Sequence, residues 1–419
     1  MNIIHFSKSD DRGAYITAYR FHSLLKEAGH TSAMLVEIKT KSDDDIIQFR
    51  LTFLEKALSY FHKLKRRIKS LQTTDYLIDE SIKLPTKYFI KNLPFTPDVI
   101  AIHWVSGFIN FQNIYELSTV TKAPVIWRFN DMNALTGGCH YNKGCLHYTN
   151  GCGNCPILKN PSTNDLSFRN YQNKIKWFSK LDITLVSTTT QIDEELKSSL
   201  IAKYCKTEMI ILSSYSKFFL LADKNLAAES LQLPPNRKII FFGAQNINDP
   251  RKGFKELLAA LNILKKNIST ETGSKILLVY ASLTEIDELT LPFKSIKLPF
   301  LKSEALLAKA YQAATVYVSP SIEDAGPMMI LESMLCGTPT VAFSIGLAKD
   351  AIINNVNGFI VPLKDINKFA DSTKQVLEMD EYDYQEFSKN CSFQTAMKFD
   401  KKNEITAYNS LLNKLVKNK

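Results

Sequence analysis

Two carboxylates eight positions apart, Asp324 and Glu332, bracket a turn reading EDAGPMMILE, and Glu323 competes with Asp324 for the first position. Glu332 lies in an otherwise apolar run of Met328, Met329, Ile330, Leu331, Met334 and Leu335. A carboxylate among such neighbours is costly unless it binds something, although on a surface helix the same Glu would need no ligand. Pro327 suits a first helical turn, Gly337 the position past the last, and Pro339 stops continuation. The backbone N–H groups that open such a helix form a ready anion site. A second turn, GAQNINDPRKGF, carries Arg251 and Lys252, two cations suited to a leaving diphosphate.

A third cluster is WRFNDMNALTGGCHYNKGCLHYTNGCGNCP, residues 127–156, with the polar pair Asn130 and Asp131 and four of the seven cysteines. Cys139, Cys145, Cys152 and Cys155 could enclose a tetrahedral zinc, and His140 or His147 could replace a thiol. A structural zinc is the expectation; disulfides and free thiols are the alternatives. His103, at a strand end, is a separate site candidate, set against the reading of a satisfied core histidine. Cys205, Cys336 and Cys391 read as isolated core residues.

The elements that must hold these groups alternate. Near-continuous apolar strands are expected at 2–7, 32–38, 98–104, 124–129 and 183–187, and again at 238–242, 275–280, 316–318 and 358–361, with another after the short helix, ending the stretch that reaches Phe343, as in buried parallel sheets. Between them lie helical patterns ending near Ala28, and over 253–266, 303–313, 365–377 and 405–416. This rhythm predicts an α/β chain of two doubly wound domains, with the crossing between them around 201–219. Gly13, in the first strand-to-helix turn, would let the backbone approach a substrate, or would serve only as a helix-entry glycine.

Taken together these residues resemble glycosyltransferase family 4, over nearly the whole chain. Asp324 and Glu332 match that family's spaced acidic pair, and LCGTP its small-residue helix end. The segment TGGCHY with its further cysteines is similar to a bacterial polysaccharide subgroup (capsule, O-antigen). The resemblance implies a GT-B architecture: two facing Rossmann-like domains, residues 1–205 on the acceptor side and 206–399 binding the sugar-nucleotide, with the C-terminal helix (about 400–419) crossing back to the first. It implies a retaining transfer from a UDP- or GDP-sugar with no catalytic divalent metal. Glu332 would accept from the ribose hydroxyls, while Gly326, Pro327, Met328 and Met329 would face sugar and diphosphate. Lys252 matches the family lysine, and Arg251 would stand in for an arginine where this chain has Ala244. The family's cleft histidine falls on Asn130, which can hydrogen-bond a sugar hydroxyl but cannot carry a proton. Asp131 would act as a base near the acceptor hydroxyl or hold another residue in place.

The 419 residues suffice for two cores, and a hydrophobic fraction of 45% with 22% charged residues is that of a globular protein. No run of about 18 apolar residues is present, so no spanning helix is expected. With no signal peptide at the N-terminus, a cytoplasmic location is expected. The formal charge of +10 concentrates in part between Phe53 and Leu71, where Lys56, Lys63, Lys65, Arg66, Arg67 and Lys69 share a helical pattern with Phe53, Leu54, Ala57, Leu58, Phe61, Leu64, Ile68 and Leu71. Such a helix either packs its apolar side on the core or lies on an anionic inner membrane. The basic residues lack interleaved aromatic platforms, which argues against nucleic acid. The expected partners are a nucleotide-sugar and a glycan or polyprenyl-diphosphate-linked acceptor. Asn130 and Ala244 keep an alternative open, a nucleotide- or glycan-binding protein that retains the fold without catalysis.

Overall fold

The computed structural model describes residues 1–10, 13–57, 59–61, 80, 83–129, 131–214 and 217–417. It divides into two compact units: Met1–Thr188, Ile192–Ile211 and Lys401–Lys419 form the first, Thr189–Gln191 and Leu212–Asp400 the second.

The first unit is built on seven strands, β1 (Asn2–Ser9), β2 (Thr31–Ile38), β3 (Ile46–Gln48), β4 (Val99–Ile102), β5 (Val125–Arg128), β6 (Ile183–Ser187) and β7 (Lys206–Met209). They pair in parallel in the order β3-β2-β1-β4-β5-β6-β7. The second unit repeats the plan with β8 (Lys238–Gly243), β9 (Ile276–Ala281), β10 (Ser295–Leu298), β11 (Val316–Ser319), β12 (Thr340–Phe343) and β13 (Gly358–Val361), ordered β10-β9-β8-β11-β12-β13. Both orders reverse at an interior pair, β1/β4 and β8/β11, and ligands of doubly wound sheets bind at the carboxyl ends of strands beside such a reversal. The inner strands, such as β4, β5 and β6, are buried along their whole length, as in parallel sheets covered on both faces. In the second unit Ile240, Phe242, Val318 and Val341 of the sheet pack with Leu257 and Leu261 of the helix Phe254–Asn267.

The helix Lys401–Lys417 belongs to the first unit and is tied there by Glu404, which pairs with the buried Arg128 at 3.3 Å. Arg128 also donates to Thr17 O at 3.0 Å, and Tyr408 lies against Phe21 with ring centroids 4.2 Å apart.

His103 is a buried core histidine. It lies in a buried network where His5 Nδ1 is 2.9 Å from His103 Nε2, His5 Nε2 is 3.0 Å from Ser32 Oγ, and His22 Nδ1 is 2.7 Å from the same hydroxyl. Burial holds all three below the usual histidine range, His5 well below it and His103 near 3. His22 is held near 4 against the attraction of Asp45. In the unfolded chain each takes a proton below about pH 6.5; in the folded chain it cannot until those lower values. Stability is therefore full above about pH 6.5 and is lost as pH falls toward 4, by up to about 1.4 kcal/mol per histidine per pH unit. The urea midpoint is expected to be clearly lower at pH 5 than at pH 7, with a shallower fall in His22→Asn. Equal midpoints at the two pH values would contradict this.

Between Phe53 and Leu71 the helix is described over 53–57 and 59–61. There Phe53, Leu54 and Phe61 are exposed, by 84%, 75% and 61%, so this stretch does not pack its apolar side on the core. Lys63, Lys65, Arg66, Arg67 and Lys69 lie outside the described residues. No described helix is long and apolar enough to cross a membrane.

Candidate functional site

In the second unit β8 and β11 are parallel neighbours, with Val316 opposite Ile240 and Tyr317 opposite Phe241. The loops leaving their carboxyl ends carry Arg251 and Lys252 on one side and Glu323 and Asp324 on the other. They meet closely at Gly253, which sits at φ +68°, where a Cβ would fall 1.8 Å from Pro320 O. Only glycine allows that approach. The Ile322 amide donates to Arg251 O at 2.8 Å, closing one loop on the other.

This closure brings Lys252 Nζ to Asp324 Oδ2 at 2.6 Å, across 72 positions of sequence. The other oxygen of Asp324 accepts from the Gly326 amide at 3.2 Å, so one carboxylate ties the lysine to the start of the EDAGPMM turn. An ammonium carries three donors and can keep Asp324 while meeting an anion. Arg251 is placed differently: its guanidinium pairs with Asp249 Oδ2 at 2.5 Å. Arg251 is thus tied within its own loop. The Glu323 amide points at Arg251 O at 3.4 Å.

The helix that follows is Met329–Leu335, starting two positions after Pro327, with Pro327 O accepting from the Ile330 amide at 3.1 Å. The tip of Met329 lies 3.4 Å from where a Cβ on Gly243 would stand, packing the turn on the end of β8. Glu332 is 4% exposed. Tyr311, fully buried, donates from Oη to Glu332 Oε2 at 3.3 Å. Burial and the nearby Glu332 charge push the Tyr311 phenol well above its ordinary value, so it stays a donor. Gly346, after β12, also packs on this turn. At φ +48° its Cβ would meet Asp324 O at 2.5 Å, and its amide donates to Gln191 Oε1 at 2.8 Å.

In the first unit the glycine-rich loop follows β5. Asn130 lies outside the described residues. Asp131 Oδ2 is 2.8 Å from His140 Nδ1, and Asp131 Oδ1 accepts from the Asn133 amide at 2.8 Å. Beneath the loop the fully buried Lys174 donates to Asn133 O and, at 2.6 Å, to Thr136 O. Burial lowers its pKa, while Glu80 and other nearby anions favour its charge. A Cβ on Gly13 would meet nothing within 4 Å, so the chain's own packing does not demand glycine there.

The expected zinc is not supported. Among the described residues no group of three or more His, Cys, Asp and Glu is arranged to hold a metal ion. Cys139, Cys145, Cys152 and Cys155 are free, and Cys139 and Cys155 pack with Ile157, Leu158 and Leu166. The Cys139 thiol hydrogen-bonds the Cys155 sulfur, which lowers Cys155 to about 6 and raises Cys139. Cys152 Sγ accepts from the Gly137 amide at 3.2 Å. Neither histidine replaces a thiol: His140 turns to Asp131, and His147 Nδ1 lies 2.9 Å from Gly153 O.

Sequence reasoning passed over Tyr311, Gly346 and Lys174. The last had a signal, since Asn170, Lys174 and Phe178 follow the buried spacing of the helix Leu166–Phe178.

Residues 223–392 match the family described as "Glycosyl transferases group 1". One curated relative, D-inositol 3-phosphate glycosyltransferase of Frankia alni, is 37% identical over 71 residues, which is 17% of this chain and 17% of that protein. Sucrose-phosphate synthase from Thermosynechococcus elongatus superposes over 100% of both chains, with a TM-score of 0.67 and 15% identity. Anabaena HepE in complex with UDP and glucose covers 99% of this chain and 100% of its own, with a TM-score of 0.65 and 13% identity. At such identities the structures establish the fold, which is GT-B: two Rossmann-like domains, each on a parallel sheet.

Proposed function

We propose that the chain is a retaining glycosyltransferase that moves a sugar from a UDP- or GDP-sugar to a glycan or polyprenyl-diphosphate-linked glycan in bacterial surface polysaccharide synthesis. The observation that carries this is the Lys252–Asp324 pair at the carboxyl ends of β8 and β11, with Glu332 buried in the helix beyond. Lys252 would neutralise the departing diphosphate, with the backbone of Gly326, Pro327, Met328 and Met329 beside it. Glu332 would accept from the ribose hydroxyls. Asp324 would aim the lysine. Support comes from the match of residues 223–392 and from a structural neighbour that binds UDP and glucose. Retention and the acceptor class rest on the family resemblance.

The test is incubation with a panel of UDP-, GDP- and CMP-sugars, in chelator, followed by mass spectrometry of nucleoside diphosphate and glycosylated product. Release or transfer from one UDP- or GDP-sugar is expected. One observation favours the second reading, a nucleotide-binding protein without catalysis. Ala244 lacks the side chain that resembling enzymes place there, and Arg251, the stand-in, pairs with Asp249. Tight nucleotide binding with neither hydrolysis nor transfer would favour that reading.

A lipid-linked acceptor requires work at an anionic leaflet, where each clustered Lys or Arg contributes on the order of 1 kcal/mol. Exposed Phe53, Leu54, Tyr60 and Phe61 lie beside that cluster in sequence and offer apolar contact. Replacing Lys65, Arg66 and Arg67 by Ser is expected to release the protein from vesicles containing phosphatidylglycerol, as is high salt. A wild type that ignores such vesicles at low salt removes the membrane from the account.

A further inference from the structure

Trp104 follows β4 and Asp131 follows β5, so both leave the first sheet at the carboxyl ends of adjacent parallel strands, beside the β1/β4 reversal. The Lys8 amide, at the end of β1, donates to Trp104 O at 2.8 Å and fixes that segment. The glycine-rich loop then turns back, with the Met132 amide donating to His140 O at 2.9 Å. The result is a cluster of three side chains around one imidazole nitrogen. His140 Nδ1 lies 2.8 Å from Asp131 Oδ2 and 3.0 Å from Trp104 Nε1.

One nitrogen cannot offer a proton to Asp131 and a lone pair to Trp104 at once. The bond to the carboxylate is charge-assisted and the stronger of the two, so Nδ1 carries the proton. Nε2 is then a bare acceptor. It is buried, has no hydrogen-bond partner among the described residues, and belongs to a side chain only 10% exposed. Leaving a buried acceptor unmatched costs stability, and in a native structure it calls for an explanation. Trp104 is half-buried, its ring centroid 5.5 Å from the imidazole and tilted by 43°. A hydroxyl acceptor beside a partly open aromatic face complements a sugar, which offers O–H donors along its edge and a C–H face to the ring.

We propose, as a deepening of the glycosyltransferase function above, that this cluster is a carbohydrate-binding site of the first unit. His140 Nε2 accepts a hydrogen bond from a hydroxyl of the acceptor sugar, Trp104 stacks on its face, and Asp131 is a positioning residue that fixes the tautomer. Nε2 is covered in the unliganded chain, so sugar binding includes a side-chain adjustment at its cover, as is common at binding surfaces.

Saturation-transfer NMR on the full chain tests this, with the methyl glycosides of glucose, galactose, mannose and N-acetylglucosamine as probes and UDP titrated into the same samples. The wild type should show saturation transfer with at least one glycoside. His140→Phe should lose it by tenfold or more. His140→Gln, whose carbonyl can still accept, should retain a substantial part. UDP affinity should stay within twofold throughout. A wild type that binds none of the four glycosides, or a His140→Phe protein that binds them as the wild type does, overturns the proposal. So does equal loss in the Phe and Gln variants with a lowered melting temperature, which marks a purely structural role. Glycoside binding without UDP binding would instead strike at the glycosyltransferase reading and leave His140 standing.

Discussion

Lys252→Ala lowers turnover by roughly a hundred- to a thousandfold, the usual cost of removing one group that meets charge developing in the transition state. Negative charge on the departing diphosphate grows as the sugar–oxygen bond breaks, so the ammonium is worth more in the transition state than in the bound donor. Its donor Michaelis constant should change far less than its turnover. The resting geometry favours this outcome, because Asp324 holds Nζ at 2.6 Å and is itself tied to the Gly326 amide. The lysine is thus positioned before any ligand arrives, and little reorganisation is left for the reaction step. Steady-state kinetics with the active donor checks this. A raised Michaelis constant with preserved turnover would make Lys252 a binding group only.

Glu332→Gln weakens donor affinity by roughly ten- to a hundredfold, the worth of a charge-assisted hydrogen bond at about 1.5–3 kcal/mol. The carboxylate can accept from two ribose hydroxyls, whereas an amide offers one acceptor and turns donors toward the second. The fold should survive, because the Tyr311 hydroxyl that donates to Glu332 can donate equally to the amide oxygen. A 2′-deoxyribose nucleotide should lose affinity for the wild type and much less for the variant. Equal affinity of wild type and variant for the ribose form would remove Glu332 from the site.

The fold was legible where strands are buried on both faces. Val99–Ile102, Val125–Arg128 and Ile183–Ser187 each have four or five consecutive buried residues and an apolar sequence to match. The strands that escaped are sheet edges. Ile46–Gln48 has three residues, Lys206–Met209 reads KTEM with three of four exposed, and Ser295–Leu298 is mostly half-buried. An edge strand pairs on one side only and carries polar residues, so its sequence lacks the apolar run. The Asp324–Glu332 turn was legible because its parts are local. The contact of Lys252 with Asp324 depends on how β8 and β11 pair, and periodicity carries nothing about which of two adjacent cations turns inward. Arg251 illustrates this: it pairs with Asp249, two positions away in the same loop. The cysteine loop misled for a related reason, since spacing permits a tetrahedral site without placing four sulfurs around one point. His140 lay inside that loop, and its partner Asp131 is set by the loop's fold rather than by any motif.

Isothermal titration of the wild-type chain with the panel of UDP-, GDP- and CMP-sugars tests the central claim most directly, that the Asp324–Glu332 turn with Lys252 holds a nucleotide-sugar. One-to-one binding of a UDP- or GDP-sugar is predicted, weakened at least about tenfold in Glu332→Gln. No binding by any of these donors, or binding that Glu332→Gln leaves unchanged, would contradict it.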